Sequence, residues 1–312
     1  MGTPDAAVPT LRRCLEDGHE VVAVWTQPDR PSGRGHKLTP PPVKEFALAH
    51  HLTVHQPSKI KTDEASEQFA SHDADVAVVV AYGRILPPSF LNAPREGCVN
   101  VHFSLLPKYR GAAPVNWAIV RGETWTGITT MRMNEGLDTG PILLQRTVNI
   151  FEKETATELM TRLSLLGAEV LSETLAKLDQ IKGREQSSAD ATFAPVLRRE
   201  DGLIDWSQSA FEIERRVRGL QPWPNAYTTF DARRLIIWRA SAARDVEQDV
   251  GPDVERAASY GEIIEAQGET LVANCGEGTT LRLEEVQPEG KRRLSARDFL
   301  NGARVQRGAR LG

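Results

Sequence analysis

The sequence has few of the features that mark secreted, zinc-binding or membrane-spanning proteins. Its 312 residues include only three cysteines, Cys14, Cys98 and Cys275, and no two of them form a CxxC pair. Three scattered cysteines give no disulfide framework, so we expect a reducing compartment. No window holds the roughly 18 uninterrupted apolar residues that a spanning helix needs, and the first 20 residues lack the basic-then-apolar order of a secretion signal. We therefore expect a cytoplasmic protein without a membrane partner.

The common nucleotide, metal and serine-hydrolase motifs are also absent from the sequence. The glycines of residues 30–37 have neither the GxGxxG nor the GxxxxGK[ST] spacing, which argues against a dinucleotide-dependent dehydrogenase and a nucleotide hydrolase. Ser104 lies two residues after His102, but without a GxSxG elbow it does not indicate a hydrolase. No HExxH pattern accompanies the clustered histidines, so no metal is expected at His50, His51 and His55.

Composition and charge indicate an ordinary globular chain with two local basic segments. Hydrophobic residues make up 40% and charged residues 26%, and the net charge of -4 excludes a generally basic nucleic-acid coat. Residues 26–44 nevertheless carry four Lys or Arg against one Asp, and residues 289–312 carry seven against two acidic residues. Such segments suit docking of a polyanion, although a solvated loop and tail would have the same composition.

The first half of the chain alternates short apolar runs with amphipathic stretches. The β-branched runs at 21–25, 76–80 and 98–102 predict parallel strands buried on both faces, with 76–80 as the central strand. Residues 43–51 and 155–181 have helical spacing. This pattern predicts an α/β, Rossmann-like domain with a mostly parallel sheet, whose ligands collect at the carboxyl ends of the strands.

The second half has the pattern of a smaller β domain. Polar, aperiodic residues after 181 predict a linker, and 211–220 predicts one more helix. Five short β-type runs then predict a small barrel: 226–230, 235–239, 261–266, 270–273 and 279–286. The expected organisation is a first domain at 1–181, a linker at 182–205 and a C-terminal β-barrel at 206–312.

Three polar residues stand out as candidates for chemistry. If 98–102 is a strand, its two-residue period places Asn100 and His102 on one face, where two polar groups suit a buried apolar surface poorly. An amide and an imidazole can both donate to an oxygen that acquires negative charge during acyl-type transfer. Asp138, in a glycine-containing loop, could set the protonation of His102 or hold a water. Each residue also has an ordinary structural explanation. Asn100 could be a hydrogen-bonded residue of a strand, His102 could be a histidine whose ring nitrogens are satisfied by hydrogen bonds, and Asp138 could be a turn residue.

Together these residues belong to longer stretches that resemble a known family. VNVHFSLLPKYRGAAPVNWAI followed by NEGLDTGPILL resembles the formyltetrahydrofolate-dependent transferase superfamily, with its Asn-x-His, SLLPxxRG and GxDTG signatures. Further stretches are similar, along nearly the whole chain, to the branch that formylates methionine on initiator tRNA: GTPDAAVPTL, TQPDRPSGRGHKLTPPPVK, AYGRILP, FAPVLRREDGLIDWSQSAFEIERRVRGLQPWPNAY and SARDFLNG. The resemblance implies formyl transfer from formyltetrahydrofolate as co-substrate, without a metal, to the methionine α-amine of initiator tRNA in translation initiation.

The resemblance also implies roles for particular residues. The catalytic residues would be Asn100, His102 and Asp138. The folate-binding residues would be Ser104, Leu105, Leu106 and Pro107, with Tyr82 and Ile85. The tRNA acceptor end would meet Arg30, Arg34, His36 and Lys37. It further implies an OB-like C-terminal barrel, and we expect a monomer. Members of the family usually have a β-strand directly before the Gly2-Thr3-Pro4 turn, so we expect that central strand to be missing from this chain.

Two other functions remain open at this point. A formyltransferase acting on a sugar nucleotide or another small amine would keep Asn100, His102 and Asp138 but would not need the basic loop at residues 30–37. An RNA-binding protein whose α/β half had lost catalysis would keep the barrel, a common nucleic-acid-binding architecture, but has no reason to keep the three polar residues. Measured transfer of a labelled formyl group separates these functions.

Overall fold

A computed structural model describes residues 1–32, 37–244 and 258–312, apart from the side chains of Ser32 and Lys37. The chain forms two compact units. The first comprises Met1–Val115, Trp125–Asn149 and Glu158–Val196, and the second comprises Asn116–Thr124, Ile150–Thr157 and Leu197–Gly312. Across these described residues, every helix is too short or too polar to cross a membrane.

The first unit contains short strands that alternate with helices, which confirms the predicted α/β class. Its strands are β1 (Val24–Trp25), β2 (Arg30–Ser32), β3 (Lys37–Thr39), β4 (Val54–His55), β5 (Ala77–Val79), β6 (Cys98–His102), β7 (Arg110–Gly111), β8 (Trp125–Arg132), β9 (Ile142–Asn149) and β10 (Phe193–Ala194). The helices in this half of the chain are α1 (Val8–Glu16), α2 (Pro42–Ala49), α3 (Asp63–Ala70), α4 (Pro88–Leu91), α5 (Pro114–Val120) and α6 (Ala156–Leu175).

The sheet of the first unit combines parallel and antiparallel pairs. Its main path runs β5-β6-β8-β9, in which β5 and β6 are parallel, whereas β8 and β9 continue the sheet antiparallel. The pairs β1–β4 and β7–β10 are parallel as well. Parallel strands were predicted; the antiparallel edge formed by β8 and β9 was not.

The strand predicted to be central, at residues 76–80, lies at the end of this path. Among the described residues, its other edge is bordered by the first residues of the chain: the Met1 ammonium donates to Val78 O at 2.6 Å, and Gly2 forms a parallel bridge with Val80. Beyond that bridge is a cavity of about 410 Å³ lined by residues of β1, β5 and Met1. Since no described residue pairs with residues 21–23 there, strand β1 is limited to Val24–Trp25 and is shorter than the strand predicted at 21–25. Burial lowers the pKa of the Met1 amine to about 6.

Helix α6 packs on β6 and β8. Gly167 faces Val101 and Ile128, so the helix backbone approaches the sheet closely. Farther along α6, the hydroxyl of Thr174 lies 2.8 Å from that of Thr130 on β8 and donates to Val170 O of its own helix. Because each of these two buried hydroxyls has a partner, the packing of the helix on the sheet leaves neither of them unsatisfied.

The second unit contains an antiparallel sheet and two helices. Its strands are β11 (Ala226–Phe230), β12 (Arg233–Arg244), β13 (Ile263–Gln267), β14 (Thr270–Cys275), β15 (Thr279–Pro288) and β16 (Leu294–Ser295), and its helices are α7 (Ala210–Gly219) and α8 (Ala296–Ala303). The strand order is β11-β12-β15-β14-β13, with β16 on β15. A β-rich second half was predicted, and it is present. Over the described residues the path is open, because no ladder joins β11 to β13, so a closed barrel is not observed.

All three cysteine thiols are free and buried, as expected without a disulfide framework. Burial raises the pKa of Cys14 and Cys98 to about 11 and that of Cys275 to about 12. Because the thiolate is the reactive form, we expect the folded protein at pH 8 to react with none of its three thiols while the denatured chain reacts with all three. Ellman's reagent measures both, with exposed Ser71→Cys as a positive control. Rapid labelling of the native wild-type protein would contradict the burial of its three thiols.

Candidate functional site

Asn100 and His102 lie on β6, between β5 and β8. Antiparallel pairing places Asn100 opposite Met131 and His102 opposite Thr129. Both polar residues are buried, with 8% and 6% of their surfaces exposed. Since alternate residues of a strand share a face, the two side chains project on the same side of the sheet.

The Asn100 amide has no hydrogen-bond partner among the residues that the structure describes. By contrast, the hydroxyl of Thr129 on the neighbouring strand β8 donates to Ser104 O at 2.7 Å. The unpaired amide at Asn100 is therefore suited to a ligand oxygen, and it fits a carbonyl or an oxyanion.

His102 is oriented by a backbone carbonyl. Its Nε2 lies 2.9 Å from Tyr109 O, and because a carbonyl only accepts, Nε2 must carry the proton. Tyr109 itself has a left-handed backbone with φ of 61°, an uncommon conformation for a bulky residue. The other nitrogen, Nδ1, lies 3.7 Å from Asp138 Oδ2. A proton on Nδ1 would therefore create an ion pair with Asp138.

Asp138 lies in the loop between β8 and β9 and is held from two sides. Its Oδ2 accepts a hydrogen bond from Gly111 N at 2.8 Å, and its backbone carbonyl accepts one from Gln186 Nε2 at 2.9 Å. Gly111 has φ of 123°, and a Cβ on it would lie 2.5 Å from Ala194 O. Only glycine fits there, which is a physical reason for the glycine that follows Arg110. The structure thus brings together His102 and Asp138, which are 36 positions apart in the sequence.

The segment Ser104 to Pro107 is fixed by hydrogen bonds to the antiparallel edge of the sheet. The Ser104 hydroxyl donates to Lys108 O at 2.6 Å and is completely buried. Leu106 N donates to Thr129 Oγ1 at 3.1 Å, and Gln145 Nε2 donates to Leu106 O at 2.9 Å. Sequence reasoning missed Thr129 and Gln145, since only the fold shows that β8 and β9 lie beside this segment.

The remaining predicted ligand-binding residues differ in exposure. The Tyr82 ring is 2% exposed within a hydrophobic cluster that includes Trp25 and Phe90, and burial raises the pKa of its hydroxyl. Ile85 is 65% exposed. Arg30 lies exposed on β2, opposite Thr39 of β3. Arg34 and His36 lie outside the described residues, as does the side chain of Lys37.

Comparisons with known proteins place this arrangement in context. Residues 1–175 match the family described as formyl transferase, and residues 196–304 match its C-terminal domain. The chain is 49% identical over 314 aligned residues to methionyl-tRNA formyltransferase of Geobacter metallireducens, covering 100% of this chain and 97% of the relative. Its identity to methionyl-tRNA formyltransferase of Geobacter sulfurreducens is 46%, covering 100% and 95%.

A solved structure is similar at the level of fold. It is the N-formyltransferase of Helicobacter canadensis in complex with folinic acid and dTDP-3-aminofucose, with a TM-score of 0.65 and 17% identity over 92% of this chain and 97% of that one. At such low identity the likeness concerns the fold and carries no information about the acceptor.

Proposed function

The chain belongs to the formyl transferase family, and from that premise we propose that it transfers a formyl group from formyltetrahydrofolate to the methionine α-amine of initiator methionyl-tRNA. The observation that carries the reaction is the pair of His102 and Asp138: Nδ1 of the buried His102 lies 3.7 Å from Oδ2 of the partly buried Asp138, and His102 shares strand β6 with the unpaired Asn100 amide. The observation that carries the acceptor is the full-length similarity, at 49% identity, to a methionyl-tRNA formyltransferase.

In the proposed reaction the methionine amine attacks the formyl carbon and a C–N bond forms. The carbonyl oxygen becomes negatively charged, and the Asn100 amide donates to it, because that amide is free of protein partners over the described chain. The bond between the formyl carbon and the folate nitrogen then breaks, the attacking amine loses a proton, and the folate nitrogen gains one. The residues of this chain supply the donors and the route for that proton.

His102 and Asp138 are the proposed proton-transfer residues. A proton taken up on Nδ1 of His102 is stabilised by the facing carboxylate of Asp138. The Nε2 proton is engaged with Tyr109 O, so His102 donates to the substrate oxygen only when that carbonyl releases it. Folate contacts are proposed for Ser104, Leu105, Leu106 and Pro107, with Tyr82 and Ile85.

The domain boundaries, the closure of the C-terminal sheet, the cellular location and the oligomeric state are proposals as well. We propose functional domains at 1–181 and 206–312 with a linker at 182–205, an OB-like closure of the C-terminal sheet, a cytoplasmic location and a monomeric state. Support comes from the antiparallel strand order of β11 to β15 and from the three free thiols, which suit a reducing compartment.

The function is tested by offering the purified protein labelled formyltetrahydrofolate with alternative amine acceptors. Formylation of initiator methionyl-tRNA, measured by acid-precipitable label, is expected to exceed formylation of a dTDP-amino sugar by several orders of magnitude. Preferential transfer to the sugar nucleotide would establish the alternative formyltransferase. Binding of tRNA without transfer to any amine would establish a binding protein.

We also propose that the basic segment with Arg30, Arg34, His36 and Lys37 contacts the tRNA acceptor end. Each phosphate contact contributes roughly 0.7–0.9 to the slope of log affinity against log salt concentration. Arg34→Ala is therefore expected to raise the KM for methionyl-tRNA and to flatten the salt dependence by about one contact, leaving the KM for the folate unchanged. Lys61→Ala, which removes an exposed cation elsewhere in the first unit, is the control. Weakened folate binding with unchanged tRNA parameters would assign the segment to the other substrate.

A further inference from the structure

Gln186 lies in the polar stretch that the sequence predicted as a linker, yet its side chain contacts the loop that carries Asp138. Its Nε2 donates to Asp138 O at 2.9 Å and to Gly140 O at 2.7 Å. Its Oε1 accepts from Arg110 Nε at 3.1 Å and from Arg110 Nη2 at 2.8 Å. Both amide hydrogens and both lone pairs of the oxygen are thus in use.

The donors and acceptors around the Gln186 amide determine which of its positions holds the oxygen and which the nitrogen. Exchanging the oxygen and nitrogen would place the oxygen against two carbonyls and the NH2 group against a guanidinium, which has only donors. The observed orientation is therefore the one that satisfies all four contacts. Arg110 is itself 5% exposed, so a guanidinium without this oxygen would lose a buried partner.

The contacts fix the backbone of a strained loop. Asp138 has φ of 53°, a left-handed conformation that costs energy for a residue with a side chain. Gln186 holds the carbonyls of Asp138 and Gly140, and Gly111, the residue after Arg110, holds the Asp138 carboxylate. The Gln186 side chain therefore connects β7, whose Gly111 binds the Asp138 carboxylate, with the loop that carries Asp138.

The segment that carries Gln186 is itself anchored. Arg184 forms an antiparallel bridge with Ile142 at the start of β9, with backbone hydrogen bonds of 2.8 Å in both directions. This bridge fixes the chain two residues before Gln186, so the amide is presented to the loop from an ordered backbone.

We propose that Gln186 is a positioning residue for the formyl transfer: it keeps the Asp138 carboxylate in place beside Nδ1 of His102 by holding the Asp138 loop against Arg110. This inference rests on the proposed function of that site. Gln186 acts through Asp138, because its amide is already saturated by protein groups. A displacement of about 1 Å at a catalytic group lowers a rate by roughly 100-fold, so a residue that prevents such a displacement affects kcat more than KM.

Gln186→Glu is the informative substitution. It keeps an oxygen that accepts from Arg110 but replaces the NH2 donor with an oxygen that faces two carbonyls, so it releases the loop while retaining a hydrogen-bond acceptor for the guanidinium. We expect kcat for formyl transfer to fall about 10- to 100-fold, with both KM values changed less than about threefold. Gln180→Glu makes the same chemical change at an exposed position six residues earlier and is expected to keep wild-type kinetics.

A double-mutant cycle separates positioning from a merely structural role. In an Asp138→Asn background, Gln186→Glu is expected to lower kcat less than about threefold further, because the group it positions is already impaired. Equal losses in both backgrounds, or wild-type kcat in Gln186→Glu, would overturn the proposal. If Gln186→Glu is unfolded by circular dichroism, neutral Gln186→Met goes through the same cycle with the same criteria. An inactive wild-type protein would instead refute the proposed function itself.

Discussion

His102→Ala is expected to lower kcat for formyl transfer by about 100- to 10 000-fold, the usual range for loss of a general acid or base. The substitution removes the Nε2 hydrogen bond to Tyr109 O and the nitrogen that faces Asp138. Neither contact belongs to the hydrophobic clusters of the unit, so the protein is expected to remain folded. Single-turnover transfer to methionyl-tRNA, with circular dichroism on the same sample, measures both.

The exposed residue His19 provides the matched control, since His19→Ala removes an imidazole away from the site. Asn100→Ala adds a second test, because loss of one oxyanion donor costs about 100- to 1000-fold. Combining His102→Ala with Asn100→Ala should cost less than the product of the single effects if the residues act as a unit. Turnover close to wild type in His102→Ala would rule out the proposed proton-transfer role.

Asp138→Asn is expected to lower kcat by about 100-fold or more while leaving the loop in place. An asparagine oxygen can still accept from Gly111 N, but the negative charge 3.7 Å from His102 is lost. The carboxylate then no longer faces the proton that His102 takes up during the transfer, and single-turnover rates with methionyl-tRNA measure the resulting loss.

Asp179→Asn, which neutralises an exposed carboxylate of the same unit, controls for the change in net charge. The decisive comparison is Asp138→Asn in the His102→Ala background, where little further loss is expected because the carboxylate acts through the imidazole. Equal losses from Asp138→Asn in the wild-type and His102→Ala backgrounds would refute the coupling between the two residues.

Local sequence pattern predicted much of the secondary structure in both units. The run at 226–230 coincides with β11, and 211–220 differs from α7 by one residue at each end. The β-branched run at 98–102 coincides with β6, which bears Asn100 and His102. These elements have a clear period of two or 3.6 residues and are long enough for that period to be visible.

Elements without such a signal were missed. Strands β7 and β10 have two residues each and exist because they pair with each other. Strands β8 and β9 were not recognised, although they form the edge beside Ser104 to Pro107 and enclose the Asp138 loop. The run at 21–25 forms a strand only at Val24–Trp25, where β4 pairs with it. Strand formation there depends on a neighbour, which no local pattern encodes.

The candidate site, too, was predicted in part from the sequence and in part only from the tertiary structure. The sequence by itself determined that Asn100 and His102 share one face of a strand, because the side-chain period of a strand is a local property. Tertiary structure alone decided which nitrogen of His102 faces Asp138, which hydrogen bonds fix Leu106, and that Gln186 in an apparent linker holds the Asp138 loop. Those contacts join residues 23 to 48 positions apart. Their geometry depends on the packing of whole strands and loops, and so it is absent from any short window of sequence.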